Sequence, residues 1–353
     1  MFDPNDLLRT HLKQMVPYSS ARDDYEGKEG VFLDANENPF GSITKENWNR
    51  YPDPYQQELK AKLAEVKGVS REQIFLGNGS DEPIDLLFRA FCEPQADEVI
   101  INPPTYGMYR VSADINNVRV KEVLLTNQYD LDVQGILSAI IPNTKIIWIC
   151  SPNNPTGNDV SLDKIEIILK AFQGVVVVDE AYIDFADRPS FITRLNEFPN
   201  LMVLQTMSKA WGLASLRLGM AFCSPEIIAI LNKIKAPYNL SGLTQQTVLE
   251  ALSNLDKKDR MVSEILQNRE ALKQDLEKLS IVKRVYPSDA NFFLVKIENA
   301  REVYLKLIEK QVILRDRSKV VLCEDGIRIT IGTQKENNKL IEELNKLSID
   351  HGQ

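Results

Sequence analysis

Short apolar runs alternate with amphipathic stretches from about Glu29 to Ser224. Residues 98–101, 146–150, 175–178, 202–204 and 220–223 have strand length and are mostly β-branched. They read as strands buried on both faces, which predicts a parallel or mixed sheet with helices on each side. Ile84, Leu87, Phe88 and Phe91 recur at i, i+3, i+4 and i+7, predicting a helix with Ser80 as its N-cap and Asp81 and Glu82 in its first turn. Beyond about Gln245 the pattern changes. Residues 247–279 form a long, charged, helix-favouring stretch without glycine or proline. A strand at 292–297, a helix at 300–310, strands at 312–315 and 326–331 and a helix at 335–347 then predict a small α/β domain. The expected organisation is an N-terminal arm (1–28), a large domain (29–245) and a small C-terminal domain (246–353). No internal repeat or low-complexity tract interrupts it.

Composition narrows the function. The chain has 353 residues, 43% of them hydrophobic and 26% charged, which is ordinary for a soluble globular protein. A net charge of −8 argues against a general binder of nucleic acid or anionic membrane. The first twenty residues lack the apolar core of a signal peptide, and no run approaches the ~20 apolar residues of a membrane span. A cytoplasmic protein is expected. Cys92, Cys150, Cys223 and Cys323 lack Cys-x-x-Cys spacing and read as buried small apolar residues. The two histidines, His11 and His351, sit one at each end, which argues against a histidine-based triad or metal site. An enzyme with this inventory must move protons with another side chain.

Lys209 is the natural candidate. It lies between Ser208 and Arg217 in an otherwise small or apolar run, where burial would disfavour the ammonium and leave a nucleophilic amine. A surface lysine is the plain alternative. Asp179 follows four valines, at the carboxyl end of a buried strand, where open α/β sheets place ligands. It reads either as a helix cap or arginine partner, or as the carboxylate that keeps a pyridine nitrogen protonated. Asn154, in the turn Asn154-Pro155-Thr156-Gly157, is either an ordinary turn residue or a rigidly held amide facing the strand ends. Tyr182 is either a half-buried tyrosine or a phenol reaching the same ring substituent. Gly77-Asn78-Gly79-Ser80-Asp81 lacks the third glycine of a dinucleotide fingerprint, since Glu82 stands there. A helix start with a serine hydroxyl can instead hold one phosphate, and Ser208 and Arg217 can add donors.

Together these residues ask for a ligand with a phosphate, a ring nitrogen, a ring oxygen and an aldehyde. The chain resembles the fold-type I pyridoxal-phosphate aminotransferases over essentially its whole length, through Asn154-Pro155-Thr156-Gly157, Asp179-Glu180-Ala181-Tyr182 and Ser208-Lys209 followed by Arg217. Further stretches resemble the histidinol-phosphate aminotransferase branch: Pro17-Tyr18-Ser19-Ser20-Ala21-Arg22, Asp34-Ala35-Asn36-Glu37-Asn38-Pro39, Arg50-Tyr51-Pro52-Asp53, Pro103-Pro104-Thr105-Tyr106-Gly107-Met108-Tyr109, Ile313-Leu314-Arg315-Asp316 and Gly326-Ile327-Arg328-Ile329-Thr330.

The resemblance implies an α/β fold in which a large, mostly parallel sheet sandwiched by helices is joined to a smaller C-terminal α/β domain. It implies that Lys209 carries the Schiff base, that Asp179 meets the pyridine nitrogen, and that Asn154 and Tyr182 bind the ring oxygen. Tyr106 would stack on the ring. Ser80, Asp81 (through its backbone), Ser208 and Arg217 would hold the phosphate of pyridoxal 5'-phosphate, with Tyr51 reaching it from the neighbouring subunit of a homodimer. Arg328, helped by Tyr18, Asn36 and Arg315, would bind the anionic end of the substrate. The implied reaction exchanges an amine between glutamate and histidinol phosphate.

Ser215, Met220 and the stretch Pro237-Tyr238-Asn239-Leu240-Ser241 depart from the family pattern, which bears on the substrate more than on the reaction class. On the plain readings, Tyr18 and Asn36 anchor the arm, Tyr51 is an interface aromatic and Arg315 forms a surface ion pair. The alternatives on the same scaffold are an aromatic aminotransferase and a threonine-phosphate decarboxylase. A cofactor-binding regulatory module is the alternative of another class.

Overall fold

The computed structural model describes residues 2–19 and 30–350; Ser20-Ala21-Arg22, the expected arm boundary at 28/29 and His351 lie outside them. Seven strands build the large sheet: β1 (Ile74–Asn78), β2 (Glu98–Ile101), β3 (Arg119–Glu122), β4 (Thr144–Cys150), β5 (Val175–Asp179), β6 (Leu201–Thr206) and β7 (Leu218–Phe222). Their order is β1-β7-β6-β5-β4-β2-β3. Strands β2 to β6 pair in parallel, while β7 runs antiparallel to both β6 and β1. The sheet is therefore mixed, and the carboxyl ends of β1, β4, β5 and β6 all point to one edge.

The valine run shows why both faces are covered. Side chains alternate across a strand, so Val176 and Val178 enter one apolar core with Ile147, Ile149 and Val203. Val175 and Val177 enter the core on the other side with Ile146, Trp148 and Met202. Every residue of β5 and β6 is buried. The parity continues to Asp179, which shares the face of Val175 and Val177 and meets the Trp148 side of the molecule.

Four antiparallel strands, β8 (Val282–Val285), β9 (Phe292–Ile297), β10 (Arg315–Asp316) and β11 (Gly326–Thr330), form the second sheet in the order β10-β11-β9-β8. Phe293, Val295, Ile327 and Ile329 line its core, closed by Leu272 and Leu276 of the Leu255–Glu277 helix and by Leu340 and Leu344 of the Gln334–Asp350 helix. The helix-favouring stretch at 247–279 is two helices, Gly242–Leu252 and Leu255–Glu277, separated at Ser253-Asn254. Position 245 falls within the first of them, whose Val248 and Leu252 still pack into the large sheet's core. The strand expected at 312–315 is shorter and later, with Ile313 largely exposed.

Candidate active site

A cavity of about 230 Å³ opens at the carboxyl edge of the large sheet. Ser80, Asp81, Tyr106, Asn154, Asp179, Tyr182, Ser208, Lys209, Arg217 and Arg328 all line it. Tyr18, Asn36, Tyr51 and Arg315 do not. Tyr18 borders a separate cleft with Tyr55 and Lys235. Asn36 is exposed with φ +55°, and Tyr51 stacks on Tyr238 at 4.5 Å between ring centres.

Asp179, only 2% exposed, ends β5 with both oxygens engaged. Tyr109 donates its hydroxyl to Oδ2 at 2.7 Å, and the Ala181 N–H donates to Oδ1 at 3.1 Å. Tyr109 is itself fully buried and stacks on Trp148. Burial pushes the Asp179 carboxyl up to about 6, against the opposing pull of those two hydrogen bonds. Among the described residues it forms no ion pair. A buried carboxylate with donors but no cation lacks the positive partner that would repay its desolvation, and a protonated ring nitrogen is such a partner.

Lys209 follows β6 in a loop closed by the Leu213 N–H to Met207 carbonyl bond. Burial first, and then the Arg328 charge, hold its ammonium below the ordinary lysine value. Its Nζ lies 5.6 Å from the centre of the Tyr182 ring. The loosened proton suits both a nucleophile and a base.

Asn154 is buried and used twice. Its Nδ2 donates to the Tyr182 hydroxyl at 3.4 Å, and its Oδ1 accepts from Arg328 Nη1 at 2.5 Å. Since Arg328 stands on β11, this amide ties the second sheet to the floor of the cavity. The Asn154 turn is fixed by Asn153, which donates to the Pro104 carbonyl at 2.8 Å and to Thr156 Oγ1 at 2.7 Å. Behind it, Arg188 lies 2.9 Å from Asp159, 3.0 Å from Glu180 and 3.0 Å from the Ser151 carbonyl. One guanidinium thus binds the turn after β4 that carries Asn154 to Glu180, the residue next to Asp179 at the end of β5.

The opposite end suits an anion. Ser80 occupies the N-cap of the Asp81–Phe91 helix, but its hydroxyl makes no capping bond, contrary to its expected part as a cap. The hydroxyl and the helix start are left to meet a ligand. Arg217 Nη1 lies 3.5 Å from Ser208 Oγ, and its Nη2 lies 3.5 Å from Asp81. Tyr106 donates to the other Asp81 oxygen at 3.1 Å and meets Tyr109 edge-on. The preceding loop crosses close over β7. Gly79 has φ +70° and donates its N–H to the Arg217 carbonyl at 2.5 Å, and a Cβ on Gly219 would overlap Gly79 C and Ser80 N.

Sequence reasoning passed over Thr206, Cys150 and Ala181, which also line the cavity, as well as the Tyr109 contact behind it. Thr206 and Cys150 end buried strands, so strand ends were the signal available for them. The cysteines are free and buried, His11 is exposed, and no cluster suited to a metal ion occurs among the described residues.

Comparison with known proteins agrees with this geometry. The family model for aminotransferase class I and II matches residues 28–344. A histidinol-phosphate aminotransferase of Cytophaga hutchinsonii is 57% identical over 97% of this chain and 99% of its own length. Another, of Christiangramia forsetii, is 52% identical over 98% of each chain. Among solved structures, a histidinol-phosphate aminotransferase of Sinorhizobium meliloti, in complex with pyridoxal-5'-phosphate, shares the fold with a TM-score of 0.80. It is 23% identical and is matched over 97% of this chain and 98% of that one. The enzyme of the same name from Clostridium acetobutylicum also has a TM-score of 0.80, at 24% identity, with 86% of this chain and 92% of that one covered. The architecture is therefore fold-type I, and the chain belongs to the aminotransferase class I and II family.

Proposed function

We propose that this protein is a pyridoxal-phosphate-dependent aminotransferase of histidine biosynthesis. It moves the amine of glutamate to imidazole-acetol phosphate, yielding 2-oxoglutarate and histidinol phosphate. The observation that carries this reading is one cavity holding a buried Asp179 short of a cation, Lys209 with its ammonium held below the ordinary lysine value, and an anion-binding helix start, in a chain 57% identical to a histidinol-phosphate aminotransferase.

Bound there, pyridoxal phosphate supplies an aldehyde that exchanges amines and a cationic ring that takes up the electron pair released at the substrate Cα. Ser80, the Asp81 N–H, Ser208 and Arg217 would hold its phosphate. Asp179 would accept from the ring nitrogen, Asn154 and Tyr182 would meet the ring oxygen, and Tyr106 would lie against the ring. Lys209 would hold the aldehyde, and its amine, held below the ordinary lysine value, would carry the proton to and from the substrate Cα. With no histidine in the cavity, that proton transfer falls to the lysine. Arg328 binds the carboxylate of glutamate and the phosphate of the other substrate in turn, because a planar guanidinium pairs with either anion.

Tyr18, Asn36 and Arg315 assist at the substrate end, and Tyr51 reaches the cofactor phosphate of the neighbouring subunit in a homodimer. Tyr51 is half-exposed, which leaves it accessible to such a partner. Among the described residues no helix is long and apolar enough to cross a membrane, in keeping with a cytoplasmic enzyme. Initial rates with glutamate as donor should be far higher for imidazole-acetol phosphate than for phenylpyruvate, and threonine phosphate should release no CO₂. A preference for phenylpyruvate, or CO₂ release, would replace this reading with one of the alternatives on the same scaffold.

A further inference from the structure

The second sheet carries Arg328, which lines the cavity, and two further arginines on and just after β10, Arg315 and Arg317. Arg315 and Arg328 are directly paired across β10 and β11, so their side chains share one face of the sheet. Arg317 follows two residues later, in extended continuation of β10, with its N–H bonded to the Gly326 carbonyl at 2.9 Å. Alternation returns it to the face of Arg315 and Arg328. Asp316 between them turns the other way, to Arg301 at 2.9 Å and Ser318 at 2.6 Å. The nearest acid in the strand therefore neutralises none of the three.

Like charges on facing strands destabilise a sheet. Here the only acceptor given to the trio among the described residues is the Asn154 amide oxygen, taken by Arg328. Among the described residues the Arg317 guanidinium has no hydrogen bond or ion pair, and its Nε is buried without a partner. After burial, the charges of Arg328 and Arg315 do most to loosen its proton, so the three guanidinium groups lie within electrostatic reach of one another. The Tyr182 phenol, raised chiefly by burial, is lowered in turn by the charges of Arg328 and Arg317, so Arg317 lies within electrostatic reach of the cavity wall.

A monoanionic carboxylate is matched by one arginine. A phosphate monoester carries up to two charges and three acceptor oxygens, and can satisfy a second guanidinium. We propose that Arg317 is a substrate-binding residue selective for the phosphate-bearing substrate, closing on its phosphate beside Arg328, whereas the glutamate carboxylate engages Arg328 without it. This rests on the proposed function and adds to it a means by which one pocket tells its two substrates apart.

The test is Arg317→Gln, with Arg317→Lys as the conservative variant. In the holoenzyme, the ratio of kcat/KM for histidinol phosphate to that for glutamate should fall at least tenfold in R317Q and recover in part in R317K. Calorimetric titration of the holoenzyme with inorganic phosphate gives a readout apart from turnover: affinity should fall by a similar factor. The melting temperature of R317Q without ligand should hold or rise, because a like-charge contact is removed; a residue needed only for packing would lower it. An unchanged substrate ratio with unchanged phosphate affinity would overturn the role of Arg317. Wild-type enzyme that binds phosphate through Arg317 but does not turn over histidinol phosphate would overturn the proposed substrate and leave this inference standing.

Discussion

Asp179→Asn separates what the carboxylate costs the fold from what it gives the chemistry. In the cofactor-free protein the Asp179 carboxyl is pushed from 3.8 to about 6, chiefly by burial. At about 1.4 kcal/mol per pKa unit, the charged form is disfavoured in the folded state by about 3 kcal/mol. The sign follows from proton binding. Between pH 4 and 6 the folded state holds a proton that the unfolded chain has released, so stability falls as pH rises through this window and stays reduced above it. Asparagine carries no charge. Its Oδ1 keeps the Ala181 N–H, and the Tyr109 hydroxyl rotates to accept from Nδ2. Cofactor-free D179N should therefore unfold at a higher temperature than wild type at pH 8, with the gap closing toward pH 4, as followed by circular dichroism. Loaded D179N should lose at least a hundredfold in kcat, since an amide cannot keep the ring nitrogen charged. Equal stability of the two cofactor-free proteins at pH 8 would mean that the buried carboxylate costs the fold nothing and does not wait for a cation.

Three further substitutions probe other parts of the site. Lys209→Ala should abolish turnover while cofactor still binds by equilibrium dialysis, and borohydride should no longer fix cofactor to the chain. Gly219→Ala should push the Gly79-Ser80 backbone off β7, weakening cofactor binding at least tenfold and lowering stability by about 1–3 kcal/mol in urea unfolding. Arg188→Ala leaves Glu180, whose side chain is fully buried, without its cation, so a loss of about 3–5 kcal/mol is expected in the same experiment, larger than for any surface ion pair of this chain.

What the sequence makes legible follows from burial. The interior strands β2, β4, β5, β6 and β7 announce themselves because both faces are apolar, and Asp179 stands out as a charge at the end of such a run. The edge strands β3 and β8 do not. Arg119-Val120-Lys121-Glu122 and Val282-Lys283-Arg284-Val285 carry the polar side chains of partly solvated edges and hold no apolar run. β1 was hidden by Gly77 and Asn78, which read as the glycine-rich lead-in to a helix start although they pair with Gly219 and Leu218. The break at Ser253-Asn254 has neither glycine nor proline to mark it.

At the site, side chains at the ends of interior strands and in their following loops were readable from position and chemistry. Tyr109 and Arg317 were not, because their significance lies in contacts between segments far apart in sequence. Tyr109 meets Asp179 seventy residues on, and Arg317 gains meaning only from its register beside Arg328.

Lys209 and Asp179 serve a phosphate-bearing amine in the proposed reaction. The most direct measurement is the half-reaction of purified holoenzyme with histidinol phosphate and no acceptor, followed by visible absorbance and product analysis. Stoichiometric conversion of the cofactor to its aminated form is expected, with one equivalent of imidazole-acetol phosphate, and none in Lys209→Ala. An unchanged spectrum with histidinol phosphate, under conditions where phenylalanine converts the cofactor fully, would contradict it.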